Sequence, residues 1–217
     1  MTEEPRPPLS KERVLRAAIA LADGSGIESL SMRKLGQRLG VEAMSLYNHV
    51  ANKDEILDGM VDLVVGEIDL PAEGADWKTA MRRRAISAHE VLVRHAWASS
   101  QIVSRVNVGP AMLRYVDSTL GALREAGFSY ALVDRAWNAM DSYIYGFTLQ
   151  ELNFPFQPEE YADVAAAYRP QISADDYPYL VELTELVMGA KHDGVAEFEF
   201  GLDLVLDGLD RIRNTIA

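Results

Sequence analysis

The 217-residue chain has no cysteine, so disulfides and thiolate metal sites are unavailable to it, and a reducing compartment is compatible. No apolar run approaches the length needed to span a bilayer, and the opening MTEEPRPPLS lacks a signal-peptide core. A soluble, cytoplasmic protein with no membrane partner is therefore expected. No stretch alternates apolar and polar residues as a half-buried strand would, and neither low-complexity segments nor internal repeats occur. Catalytic signatures are also missing: there is no nucleophile elbow, phosphate loop or dinucleotide fingerprint. His89 and His95 lie six apart, on different helix faces, unlike the paired histidines of a helical zinc site. No catalytic residue, metal ligand or cofactor is assigned, and an enzyme is not expected.

About half of the chain (48%) is apolar, enough for a small helical module plus a second helical core. The net charge is −12, unevenly spread. Residues 1–60 hold eight Lys/Arg against nine Asp/Glu, while the remainder holds thirteen against twenty-four. Between Ser31 and Lys53 the balance reverses, with Arg33, Lys34, Arg38 and Lys53 facing only Glu42. Screening limits electrostatic reach to roughly 8–10 Å, so this local balance, not the total, meets a charged partner.

That segment, SMRKLGQRLGVEAMSLYNHVANK, reads as two short helices, a tight turn between them and the start of a third. Met32, Leu35 and Leu39 form one helical stripe, and Val41, Leu46 and Val50 the surface opposing it. Gly40 ends the first helix where a left-handed residue is wanted. Gly36, one turn earlier, permits two helices to cross closely. This is the pattern of a helix-turn-helix, whose second helix enters a DNA major groove. Arg33, Ser45, Tyr47, Asn48, His49 and Lys53 lie on the outward side. The pattern alone equally suits a helical hairpin with a solvated polar face.

A wider window separates these readings. A first helix beginning at Ser10, the phrase GIESLSMRKLGQRLGV and then SLYNHVANKDEILDGM together resemble the DNA-binding domain of the TetR family of transcriptional repressors. Leu46–Val50 and the Asn52–Lys53 pair carry its most specific elements, and the similarity over about fifty residues is far stronger than a lone motif. It is greatest toward the tetracycline-repressor branch and fades after Met60. The resemblance implies an all-α fold, with a helix-turn-helix domain over residues 1–70 and a helical ligand-sensing and dimerisation domain over 71–217. It implies a homodimeric repressor with double-stranded operator DNA, a small-molecule effector and a second copy of itself as partners. A helical ligand carrier or scaffold without operator binding is the alternative.

Matched position by position, the resemblance makes Tyr47, His49 and Lys53 phosphate contacts. Lys53 sits in a helix first turn, where free amides also favour a phosphate. Arg33 is the expected base reader, its guanidinium suited to O6 and N7 of a guanine. Ser31 and Ser45 complete the polar set. Ala43 and Met44 stand where the tetracycline repressor has Gln and Pro, and Asn48 replaces its Trp, so a different operator is expected. Ala43 and Met44 can offer only apolar contact, for example to a thymine methyl.

Helical periods continue to the end of the chain. Helices are expected over Lys11 to about Asp23, Asn52 to about Ile68, Asp76–His95, residues 97–106, Pro110 to Gly127, Ser129–Asn153, Pro178–Gly189 and Val195–Thr215. The 155–178 stretch is only patchily periodic, and His192-Asp193 is read as a turn. Phe198, Leu202, Val205, Leu209, Ile212 and Ile216 repeat at 4-3-4-3-4, a spacing that sustains near-parallel helix packing. Val133, Trp137, Met140, Ile144 and Phe147 repeat likewise. Both seams fit either a subunit core or, as the resemblance implies, a four-helix dimer interface through Phe198, Leu202, Val205, Leu209 and Ile212. Trp97, Met112, Tyr115, Trp137, Met140, Tyr143, Phe147 and Met188 are possible walls of an apolar cavity, with Glu151, Gln150, Gln101 and Asn107 as polar groups. Arg82-Arg83-Arg84 is read as solvated surface, because consecutive residues point to different helix faces.

Overall fold

The computed structural model describes residues 8–72, 74–156, 160–189 and 197–216. Among these residues there are eleven α-helices and no strand, so the all-α expectation holds. The first four are α1 (Lys11–Ser25), α2 (Met32–Leu39), α3 (Ala43–Leu46) and α4 (Lys53–Val65). Ser10 caps α1 by accepting from the Arg13 amide, and Asn52 caps α4 through the Glu55 amide at 2.8 Å. The Glu55 carboxylate returns to the Ala51 amide at 2.6 Å and pairs with Lys11 of α1. These bonds, the one to Ala51 foremost, hold the Glu55 carboxyl below its ordinary pKa. Val14, Leu35, Leu46, Val50, Ile56 and Met60 are buried together, joining all four helices around one core.

The second set is α5 (Trp77–Arg94), α6 (Ala98–Ser104), α7 (Pro110–Glu125), α8 (Tyr130–Leu152), α9 (Tyr161–Tyr168), α10 (Pro178–Met188) and α11 (Phe198–Ile216). Their order follows the expected segments, with α9 and a following single 3-10 turn (Arg169–Gln171) added inside the patchy stretch. His192 and Asp193 lie outside the described residues. α5, α8 and α11 pack on one another, α7 closes against α8 and α5, and α9 packs on α10. α4 ends at Val65, earlier than expected, and tight turns carry the chain on to the buried Ile68. It touches α1, α5, α6 and α7, and so bridges the two helical sets.

Three of the five residues expected at a dimer seam are corrected by this packing. Phe198 (8% exposed), Leu202 (0%) and Leu209 (7%) are covered by their own chain, where α11 meets α5 and α8. A side chain without exposure in one subunit has no surface to give a second. Val205 is half-buried against the same core, and only Ile212 is open. The outward apolar side of α11 is instead Phe200 (66% exposed) and Leu204 (60%), in line with Gly208 and Ile212 at four-residue spacing.

Candidate nucleic-acid interface and sensor core

The helix-turn-helix is built around two glycines. Gly40 takes the left-handed conformation (φ 69°, ψ 35°) that ends α2, and its amide bonds to Gln37. A Cβ on Gly36 would lie 2.8 Å from the Val41 carbonyl oxygen and 3.2 Å from the Ala43 amide nitrogen. Both obstacles are backbone, so the turn can sit this close only over glycine. α3 is only four residues long, followed by turn at Tyr47–His49.

Arg33, Lys34, Gln37, Arg38, Tyr47, Asn48 and Lys53 are exposed, and Met44 is 74% exposed. Ala43, Ser45 and His49 are half-buried, Ala43 against the Gly36 crossing. Ser31 is exposed, but its hydroxyl is the α2 cap, accepting from the Lys34 amide at 3.3 Å. Arg33, Lys34, Arg38 and Lys53 form no ion pair with the described residues, whereas nearby Lys11 is paired with Glu55. A group of cations without counter-charge among the described residues, beside an exposed methionine and tyrosine, is the arrangement that phosphates and base edges require.

The expected sensor residues fall in three places. Trp97 is a correction. It packs at the junction between the two helical sets, its indole N–H bonded to Asp23 of α1 at 2.7 Å and its ring edge-on to His95. Met188 sits 40% exposed on α10 and lines no interior either. Asn107 donates to the Asp58 carbonyl of α4 at 2.8 Å, and Gln150 is exposed. Met140 and Ile144 are fully buried core, and Met112 is half-buried at its edge.

Tyr143, Phe147 and Glu151 gather around His89, which sequence reasoning did not connect with them. The His89 ring stacks on Phe198 at 4.2 Å and meets Phe147 edge-on at 5.6 Å. Its Nδ1 lies 2.9 Å from the Thr148 hydroxyl and its Nε2 3.1 Å from the Glu151 carboxylate. Burial lowers the His89 pKa, and the exposed Glu151 offsets this only in part. Tyr143 donates its hydroxyl to the Phe198 carbonyl at 2.8 Å.

Tyr115 and Trp137 belong to a second cluster, centred on Arg84. Here the expectation of a solvated arginine run is corrected. The three arginines do point apart, but Arg82 pairs with Asp203 and Glu199 of α11, Arg83 is exposed and Arg84 is completely buried. Arg84 Nη2 donates to Asp141 Oδ1 at 2.6 Å, and its guanidinium lies 4.5 Å from the centre of the Tyr115 ring. Asp141 Oδ2 accepts from Trp137 Nε1 at 2.7 Å and from Tyr145 at 3.4 Å. Burial pushes both the Tyr115 and the Tyr145 hydroxyl pKa upward, so both remain protonated. Asp141 and Tyr145 went unnoticed because neither carries a motif. The i, i+4 spacing of Trp137, Asp141 and Tyr145 was the available signal.

α4 connects these parts. Arg105 donates to Asp58 at 2.8 Å and to Asp54 at 3.2 Å, and Asp62 Oδ1 accepts the Ala111 and Met112 amides at 3.0 and 2.9 Å. Three carboxylates at four-residue spacing on α4 thus hold the segment that leads from α6 into α7.

Comparison with known proteins agrees with both halves. Residues 14–60 match "Bacterial regulatory proteins, tetR family", and residues 70–213 match "Tetracyclin repressor-like, C-terminal domain". An HTH-type transcriptional regulator of Saccharopolyspora erythraea is 36% identical over 81% of this chain and 75% of its own length. The HTH-type transcriptional repressor DrrR1 of Streptomyces coeruleorubidus is 31% identical over 95% of this chain and 79% of its own. Among solved structures, Streptomyces coelicolor ActR in complex with actinorhodin superposes with a TM-score of 0.78 at 27% identity, covering 95% of this chain and 99% of that one.

Proposed function

Because the chain belongs to the TetR family of transcriptional regulators, we propose that it acts as a homodimeric repressor, released from a palindromic operator by a small molecule. The observation that carries this reading is the placement of α4. Its first residue, Lys53, stands on the cationic DNA-reading face, and its Asp54, Asp58 and Asp62 grip the sensor segment that begins at Arg105. A sensor rearrangement that shifts this segment therefore shifts the reading helices. Two such units bind an operator only when their recognition helices match successive major grooves about 34 Å apart.

The small-molecule part is supported by the buried polar cluster around Arg84 and by ActR, a relative crystallised with actinorhodin. The dimer part is supported by the outward stripe of Phe200, Leu204 and Ile212, and by Gly146 and Gly208, where nothing lies within 4 Å of an added Cβ. An effector must prefer the released state; a hundredfold preference corresponds to about 2.7 kcal/mol. The test is a gel shift against the DNA upstream of the protein's own coding sequence, repeated over a salt series. Saturable, salt-dependent binding to a palindrome is expected. Binding no tighter there than to unrelated DNA would instead favour a carrier or scaffold.

A further inference from the structure

Arg84 and Asp141 are unequally satisfied. Arg84 is 0% exposed, yet only Nη2 has a partner; Nε and Nη1 have none, which leaves three N–H bonds without an acceptor. Asp141 shows the reverse. Its Oδ1 takes Arg84, and its Oδ2 takes both Trp137 and Tyr145. Both carboxylate oxygens are thus occupied while Arg84 keeps surplus donors, and the remaining polar groups of the cluster are the Tyr115 and Tyr145 hydroxyls. Buried donors that belong to a charged group are costly to leave unpaired, and folded proteins rarely do so without a ligand or a function at the site.

We propose that Arg84 is the recognition point for the effector, and that the effector is an aromatic compound bearing a carboxylate or an equivalent oxyanion. This rests on the reading of the helical domain as a small-molecule sensor. The charge follows from the inventory, since only acceptor oxygens complete Arg84, while an ammonium group would meet a buried cation and a carboxylate already occupied. The ring system follows from the aromatic surroundings, where Tyr115 lays its ring face on the Arg84 guanidinium and Trp137 and Tyr145 reach Asp141 with their polar edges. Arg84 itself is fully buried beneath the half-buried Trp137, Asp141 and Tyr145, so a ligand reaching its free N–H groups must part the side chains. Pairing the orphan N–H groups favours the parted state specifically, as an inducing ligand must. Tyr115 belongs to α7, whose first turn is held by Asp62 of α4, so the disturbance reaches the reading helices through a direct connection.

The test compares two probes with the same ring, 2-naphthoate and 2-naphthylmethylammonium, by tryptophan quenching and thermal shift on the full chain. Naphthoate is expected to bind roughly tenfold or more tightly than the amine, as charge-assisted pairing with a guanidinium implies. The double variant Arg84→Met/Asp141→Leu replaces a buried ion pair by apolar side chains, a change that proteins often tolerate, and should lose the preference. Arg84→Lys keeps the charge but not the planar group, and should weaken naphthoate about fivefold or more even if the double variant does not fold. Equal binding of both probes, binding of neither, or a naphthoate affinity unchanged in Arg84→Lys overturns the proposal. A separate gel shift distinguishes the two readings. Naphthoate bound through Arg84 without loss of DNA affinity would leave this site standing and overturn the sensor. Release of DNA by another compound, unchanged in Arg84→Lys, would do the opposite.

Discussion

Asp23 Oδ1 accepts the Trp97 indole N–H at 2.7 Å, tying the end of α1 to the corner between α5 and α6. The same oxygen lies 2.9 Å from His95 Nδ1, and His95 Nε2 faces Glu67, which Arg94 holds at 3.0 Å. Burial raises the Glu67 pKa, but Arg94 and His95 outweigh it and keep the carboxyl below its ordinary value. The cluster fastens α1 to the corner between α5 and α6 just past the C-terminal end of α4, where Glu67 follows Val65.

Trp97→Phe removes the indole donor together with part of the buried bicyclic ring. Stability should fall by about 2–3 kcal/mol in a urea titration, since a bond to a charged acceptor alone contributes about 1.5–3 kcal/mol. A variant as stable as the parent would mean that the His95 contact alone holds the junction.

Arg33→Ala and Lys53→Ala should weaken DNA binding in different ways. Losing a base-reading guanidinium costs about 1–3 kcal/mol and relaxes preference at one position per half-site. Losing a phosphate contact weakens all sequences alike and flattens the salt slope by about one unit per half-site. Identical, sequence-independent losses in a competition assay would refute base reading by Arg33.

The helix-turn-helix was legible because its rules are local. Gly36 and Gly40 act within a few residues, and both took the expected form. The helices of the larger domain were legible by period, but their partners were not. α11 carries two apolar stripes, one through Leu202 and Leu209 and one through Phe200 and Leu204, and spacing cannot say which meets the subunit's own core. Trp97 misled for a related reason, since its polar partner comes from 74 residues earlier in the chain. α9 stayed hidden because it is short and shows no buried stripe.

The two stripes of α11 give a matched pair of variants. Leu204→Glu places a carboxylate on the outward face and should yield a folded monomer with much weaker operator binding, because each half-site is then held singly. Leu209→Glu buries the charge in the subunit and should unfold it. Sedimentation with a thermal melt separates them. A dimeric, fully stable Leu204→Glu protein would place the interface elsewhere.

His89 predicts a pH dependence. Its folded pKa is lowered, by burial first, with Glu151 and Glu90 only partly opposing. An unfolded imidazole titrates near about 6.5, so the unfolded chain takes up the proton first. Stability from this site is therefore complete above that value and declines as the pH falls toward the lower folded pKa. His89→Gln should show a smaller loss of melting temperature between pH 7.5 and 5.5 than the parent, about these values being chosen to bracket the imidazole titration. Equal losses in both proteins would assign the acid sensitivity to other groups.

Asp62 offers the most direct test of α4 as the link between effector and DNA. Its carboxylate caps α7 from another helix, taking the Ala111 and Met112 amides, while Gly109 supplies no side-chain cap and leaves no room for one beside that carboxylate. Losing a helix cap costs about 0.5–2 kcal/mol, so Asp62→Ala should remain folded but melt lower. Operator affinity without effector should change little, because the reading face is untouched. The effector concentration needed for release should instead shift by about tenfold or more, the size expected when roughly 1.4 kcal/mol of coupling is removed. Asp62→Asn keeps one acceptor oxygen and should fall between the two proteins. If Asp62→Ala melts lower while releasing DNA at the parental effector concentration, the cap is purely structural and the signal reaches the DNA through the Asp23–Trp97 junction instead.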